Sequence, residues 1–275
     1  MEDKQTRLVK KLYSTPPGRL LLRILTKPWV SKAAGAIMDT RASSLLIDSF
    51  ARKNGIDMED FEKRSFRSFN DFFTRRVLSC KRPVSMNREH LVAPCDGLLS
   101  VHTISAGKSF EIKGQSYTLE ELVRRSDVSE RFEGGLLLRF RLTVSDYHRY
   151  HYPDNGSKSD NRRIEGVLHT VHPFASACGP IYAENQREYF TLETDNFGEM
   201  LYVQVGALLV GRIRNNHERA IVVRGEEAGC FEYGGSTVIL CLEKGVARLN
   251  SEYSVDTDEE VRVRMGQTIG HATFL

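Results

Sequence analysis

Three short stretches hold side chains able to do chemistry: Gly234-Gly235-Ser236-Thr237, Asp146-Tyr147-His148-Arg149-Tyr150-His151-Tyr152-Pro153, and Pro94-Cys95-Asp96-Gly97. A serine that follows two glycines has an unshielded carbonyl before it and a backbone free to reach strained φ and ψ values. It becomes a nucleophile if a histidine reaches its Oγ and a carboxylate orients that histidine. The stretch is not a Gly-x-Ser-x-Gly elbow, because Val238 stands where the second glycine would be and a strand, Val238-Ile239-Leu240, follows instead of a helix. Taken alone it is an ordinary loop, and an Asp-Gly pair alone is an ordinary turn. Two His-x-x-His pairs, His148/His151 and His169/His172, raise the question of a metal. Residues i and i+3 share a face on a helix but point to opposite faces of a strand. Both pairs lie in strand-like sequence beside prolines, without a His-Glu-x-x-His motif or an acid-rich partner, so no metal is expected.

The elements that must position these groups have two textures. Residues 1–34 carry eight cations against Glu2 and Asp3, a local charge of +6 in a chain whose net charge is +3. Leu8, Leu12, Leu20, Leu21, Leu22, Ile24, Leu25, Trp29 and Val30 interleave with those cations, and Pro16-Pro17-Gly18 divides the segment in two. The second piece, 19–36, reads as an amphipathic helix interrupted near Pro28, suited to an anionic membrane surface. A packing helix with solvated lysines is the alternative, and nucleic acid is not expected because stacking aromatics do not recur. Helix is predicted to continue through 40–77, where Phe66, Phe69, Phe72 and Phe73 share one face and Ser68 with Asp71 makes a cap. From about residue 91, β-rich segments alternate with turns: 135–143, 163–171, 199–205, 219–224, 231–242 and 261–265, with one helix over 118–126.

Hydrophobic residues make up 40% of the 275 and charged residues 27%, which excludes collagen-like and disordered classes. No apolar run approaches the roughly 20 residues of a spanning helix, and no secretory leader is evident. Cys80, Cys95, Cys178, Cys230 and Cys241 are odd in number and show no Cys-x-x-Cys spacing, as expected of reduced thiols. The expected class is α+β: a helical, membrane-surface region over 1–78, then a β-rich, mainly antiparallel catalytic body over 79–275.

Five stretches, in this order and spacing, resemble the phosphatidylserine decarboxylase proenzymes. They are Phe69-Asn70-Asp71-Phe72-Phe73-Thr74-Arg75, Pro94-Cys95-Asp96-Gly97, Asp146 to His151, Val205-Gly206-Ala207, and Arg224-Gly225-Glu226-Glu227 leading to Phe231 and Gly235-Ser236-Thr237. The resemblance runs from Leu12-Tyr13 to about Gly270. Gly234 is a departure, since many bacterial members have leucine there.

The resemblance implies a self-processing enzyme that decarboxylates phosphatidylserine to phosphatidylethanolamine and CO2. Its cofactor would be a covalent pyruvoyl group made from Ser236, with cleavage between Gly235 and Ser236. Asp96 and His151 would be the orienting acid and the base of the processing triad, and His148 would serve substrate handling and decarboxylation. His169 and His172 match no catalytic position. A β chain of residues 1–235 and an α chain of residues 236–275 would remain together as a heterodimer, with further dimerisation left open. The site would be the cytoplasmic side of the cell membrane, peripherally bound, with neither metal nor nucleic acid as partner. Three other readings stay open on the residues alone: a Ser-His-Asp esterase or peptidase, a non-enzymatic lipid-binding β domain, and a pyruvoyl decarboxylase of soluble amines.

Overall fold

Proline and threonine cut the basic N-terminal segment into three helices, α1 (Lys4–Ser14), α2 (Pro16–Leu25) and α3 (Pro28–Met38). Thr15 caps α2 by accepting from the Gly18 N–H at 3.1 Å, and Pro28 opens α3, as the break expected near that proline requires. Gly18 packs so close to α1 that a Cβ there would sit 2.4 Å from the Lys11 carbonyl oxygen. The computed structural model describes residues 4–62, 65–105, 107, 109–112, 115–208, 212–232 and 236–273. No helix among them is long and apolar enough to cross a membrane.

Helix does not run through 40–77. A 3-10 turn (Arg41–Leu46) leads into α4 (Ile47–Lys53), and Gly55, at φ +62°, ends it. Ile56 N–H bonds the Ala51 carbonyl and Gly55 N–H the Arg52 carbonyl, which satisfies the last-turn acceptors and turns the chain away. Helix resumes only in α5 (Phe69–Phe73), whose cap Ser68 accepts from the Asp71 N–H at 3.2 Å. Phe66 precedes that cap, yet packs edge-on against Phe72 with ring centres 5.4 Å apart. Phe69, Phe72 and Phe73 form a satellite core with Ala51. The later helices are short: α6 (Leu119–Val123), α7 (Ser126–Ser129), α8 (Pro173–Ser176) and α9 (Ile181–Glu184).

The strands are β1 (His90–Val92), β2 (Gly97–Thr103), β3 (Ser109–Ile112), β4 (Gln115–Thr118), β5 (Leu136–Leu142), β6 (Arg149–His151), β7 (Gly156–Lys158), β8 (Arg162–Ile164) and β9 (Arg187–Thr194). They continue with β10 (Glu199–Val205), β11 (Ile213–Asn215), β12 (Ala220–Val222), β13 (Glu227–Phe231), β14 (Ser236–Leu242), β15 (Ala247–Leu249), β16 (Val261–Val263) and β17 (Thr268–Ala272). A nine-stranded sheet runs β12-β7-β9-β10-β14-β5-β2-β16, with β8 also on β9. Smaller sheets are β11-β13-β6, β1-β17-β15 and the hairpin β3-β4. The paired strands are antiparallel, and the class is α+β. Of the expected strands, 163–171 shrinks to β8, because beyond it the backbone bonds elsewhere, Val167 N–H to the Glu184 carbonyl and Leu168 N–H to the Thr26 carbonyl. The expected 231–242 strand divides into β13 and β14, and Gly234-Gly235 between them lies outside the described residues.

The large sheet is covered differently on its two faces. Ser236, Val238 and Gln204 share one face, since Gln204 pairs with Val238. Tyr202, two residues before Gln204, donates its hydroxyl to the His151 carbonyl at 3.3 Å, so this face packs against β6. Arg139 and Arg187 lie on the other face. Arg187 donates to the carbonyls of Glu121, Leu122 and Ala183, and Arg139 to the Tyr182 hydroxyl, so α6 and α9 cover that side.

Candidate active site

Ser236 is the first residue of β14, directly between β5 and the end of β10. Leu142 pairs with it, and Val205 and Arg141 flank Thr237. The serine is fully buried, and its Oγ has no hydrogen-bond partner among the described residues. A buried hydroxyl without a partner costs the folded chain about 1–3 kcal/mol, and a reactive role is one reason such a group is kept. Earlier in the chain than Gly234-Gly235, Phe231 N–H donates to the His148 carbonyl at 2.9 Å. The chain is thus tied at residue 231 to the histidine segment and from residue 236 to the central sheet.

The histidine segment is held mainly from outside, because β6 has only three residues. Arg75, fully buried, donates to the Ser145 carbonyl at 2.9 Å and the Asp146 carbonyl at 3.3 Å, and burial pushes its pKa down to about 10. Arg149 donates twice to the Thr74 carbonyl and pairs with Glu227. Beyond β6, Arg224 pairs with the fully buried Asp154 at 2.7 Å and donates to the carbonyls of Ser85, Asn87 and Arg88. Sequence stretches far apart in the chain are therefore clamps on one another.

His148 is fully buried, with its ring centre 4.1 Å from that of Phe73. Its Nδ1 lies 2.9 Å from the Asp146 carbonyl, which can only accept, so in the neutral ring Nδ1 carries the proton and Nε2 is the basic nitrogen. His151 is buried too. Its backbone N–H donates to the Pro94 carbonyl at 2.8 Å, and its Nδ1 has no hydrogen-bond partner among the described residues. Burial pushes its pKa down to about 4, opposed by the negative charges of Glu227 and Asp96, so at neutral pH the imidazole is uncharged.

Asp96 is buried in the turn before β2. Its carboxylate accepts from Arg82 Nε at 2.9 Å, Arg82 Nη2 at 2.6 Å and the Met265 N–H at 2.8 Å. Asp96 therefore reaches His151 through its charge and through the shared Pro94 turn, while its oxygens are held by Arg82 and Met265. Arg82, itself buried and also 3.5 Å from Asp60, is a site residue that spacing in the sequence did not single out.

His169 and His172 lie elsewhere. The Tyr13 hydroxyl is 2.9 Å from His169 Nδ1 and the Thr6 hydroxyl 3.3 Å from His172 Nε2, which docks α1 on the body. Among the described residues no group of three or more His, Cys, Asp or Glu is placed to hold a metal ion.

The sequence has known relatives. The chain is 40% identical over 266 residues to phosphatidylserine decarboxylase proenzyme 2 of Clostridium acetobutylicum, covering 95% of this chain and 91% of that protein. It is 35% identical over 272 residues to the phosphatidylserine decarboxylase proenzyme of Clostridium botulinum, covering 96% and 92%. A further proenzyme of that name, from Ruminiclostridium cellulolyticum, is 36% identical over 275 aligned positions, covering 96% and 91%. The family model described as phosphatidylserine decarboxylase matches residues 69–271, a span that includes Asp96, both motif histidines and Ser236, and the chain belongs to that family.

Proposed function

We propose that this phosphatidylserine decarboxylase, whose family converts phosphatidylserine to phosphatidylethanolamine, works through a pyruvoyl group made from Ser236 by self-cleavage after Gly235. The observation that carries the assignment is the buried Ser236 Oγ at the start of β14, without a hydrogen-bond partner among the described residues, on the face that packs against β6. The residues fit such a group. β10 and β5 grip the strand that begins at residue 236, so a new chain end there stays in place after the cut.

Neutral His151 takes the proton of Ser236, and Oγ attacks the Gly235 carbonyl carbon. The Gly235–Ser236 C–N bond breaks as its nitrogen is protonated, leaving an ester. Loss of the Cα proton of residue 236 then expels the Gly235 carboxylate. The resulting enamine takes up water and releases ammonia. Arg82 and the Met265 N–H hold the Asp96 carboxylate in place, and its negative charge, after that of Glu227, raises the proton affinity of His151 against the effect of burial. Decarboxylation of an amino acid leaves a carbanion, and the pyruvoyl carbonyl supplies the electron sink for it. His148, its ring fixed by Phe73 and the Asp146 carbonyl, takes up a proton from solvent at Nε2 and delivers it to the substrate carbon after CO2 has left.

The N-terminal helices are proposed to lie on an anionic membrane at the cytoplasmic side. Leu20, Leu21, Ile24 and Trp29 remain exposed beside Arg19, Arg23 and Lys27, while Leu22 is buried. Intact-mass analysis of the purified protein tests the central reading: residues 1–235 and a blocked chain from residue 236 are expected. A single intact 275-residue chain in an active preparation would refute it.

A further inference from the structure

One buried polar side chain near Ser236 has no part in the processing chemistry. Gln204 is fully buried, and neither its Oε1 nor its Nε2 has a hydrogen-bond partner among the described residues. Its neighbour in β14 is Val238, so Ser236 is its diagonal neighbour on the same face. Diagonal positions on an antiparallel pair lie about 7–8 Å apart, a gap that a glutamine and one small group span together. Two polar neighbours are occupied: the Glu188 carboxylate accepts from Asn215 Nδ2 at 2.9 Å, and the Tyr202 hydroxyl donates to the His151 carbonyl.

We propose that Gln204 is a specificity residue, its Nε2–H donating to the seryl carboxylate of the substrate while the substrate's amine faces residue 236. The inference rests on the reading of Ser236 given above. A neutral amide suits the task. A cation would stabilise the carboxylate most before CO2 departs and so would deepen the ground state, whereas an amide orients it with less penalty to the later step. The same bond separates substrate from product, because the ethanolamine product has no carboxylate.

The test uses processed enzyme and two water-soluble probes. One is the glycerol phosphodiester of 3-hydroxypropionic acid, which keeps the carboxylate and lacks the amine; the other is the glycerol phosphodiester of propanol, which lacks both. By calorimetry the wild type is expected to bind the first about 10- to 100-fold more tightly than the second, as for a hydrogen bond to a charged group. Gln204→Met, similar in length but apolar, is expected to abolish that preference without weakening the propyl probe, and to raise KM for micellar phosphatidylserine with kcat largely kept. Gln204→Leu carries the test if the methionine variant does not fold. An unchanged preference in the variant overturns the proposal, as does a folded variant that remains uncut, which would move Gln204 into processing. Wild-type enzyme lacking a blocked end at residue 236 would instead refute the Ser236 reading, a result read from mass alone.

Discussion

Asp96→Asn separates what the carboxylate does for folding from what it does for processing. In the folded chain Arg82 and Asp96 form a buried ion pair, each less than a tenth exposed. Asparagine keeps the shape but leaves the Arg82 charge with Asp60 alone, 3.5 Å away and already paired with Lys81 at 3.0 Å. Breaking one side of a buried pair costs about 3–5 kcal/mol, and Asp60 offsets part of it, so about 3 kcal/mol is expected. Arg82→Met should cost a similar amount, because Asp96 then keeps only the Met265 N–H. The double variant buries no charge at this point and should be more stable than either single variant. For a chain of this size the single losses correspond to a Tm lower by roughly 6–12 °C. Thermal unfolding is best measured in a Ser236→Ala background, so that all four proteins remain one uncut chain. Additive losses in the double variant, or an Asp96→Asn protein as stable as its parent, would show that the pair is not the structural unit described.

Other outcomes follow from the same geometry. Ser236→Ala should leave an uncut chain on a denaturing gel, and His151→Ala should slow cleavage by about 10²–10⁴-fold, the usual contribution of a positioned base; cleavage at the normal rate in His151→Ala would refute its role. His148→Ala should still cleave but release little CO2 from labelled phosphatidylserine, and an uncut chain would contradict that division. His151 titrates at its ordinary 6.5 when unfolded and at about 4 when folded, so the unfolded chain holds more protons in that window. Stability should therefore be flat above pH 6.5 and fall by up to about 3 kcal/mol as pH drops to 4, a slope that His151→Phe reduces when stability is titrated by denaturant. Replacing Leu20, Leu21, Ile24 and Trp29 with serine should abolish pelleting with anionic vesicles, and high salt should weaken wild-type pelleting, since each surface cation contributes about 1 kcal/mol; equal pelleting of the variant would remove the membrane assignment.

The strands most readable in the sequence were those whose inner faces are apolar, such as β5, β10 and β14. β2 and β9 escaped because the positions that alternation would make apolar are polar. Ser100 accepts from Arg139 Nε at 2.9 Å and lies 3.0 Å from His102 Nε2, while Arg187 is wrapped by backbone carbonyls. Arg139 for Ser100, and the Glu121 and Leu122 carbonyls for Arg187, lie far away in sequence, so local pattern reads these side chains as surface. The helix expected over 40–77 failed for the opposite reason: local aromatic spacing was right for one turn, but Gly55 ends the preceding helix. The candidates Ser236, His148, His151 and Asp96 were picked out by motifs that stand in the order of the family they resemble, and all four are buried. Arg82 was not, since a lone arginine before a proline carries no periodic signal. Gln204 left one trace, a polar residue on the inner side of the Tyr202-Val203-Gln204-Val205 alternation.

The clamps explain why chemistry can wait for folding. A guanidinium without partners is costly to bury, so Arg75, Arg149 and Arg224 can enter the interior only when the carbonyls and carboxylates that receive them are in place. Those receivers are the Ser145–Asp146 turn, Thr74 with Glu227, and Asp154 with the 85–88 loop. Each joins the histidine segment, or the chain just beyond it, to a different part of the molecule. The positions of the histidines in the folded chain therefore depend on the aromatic helix α5, the 85–88 loop and β13 all being docked. Ser236 needs a second condition, pairing with Leu142 on β5, before its Oγ is held on the face toward β6. An unfolded chain has the same serine and histidines but none of these contacts, so under the proposed mechanism its Gly235–Ser236 bond is an ordinary peptide. Processing would then report completed folding, and a weakened clamp should show first as slow cleavage.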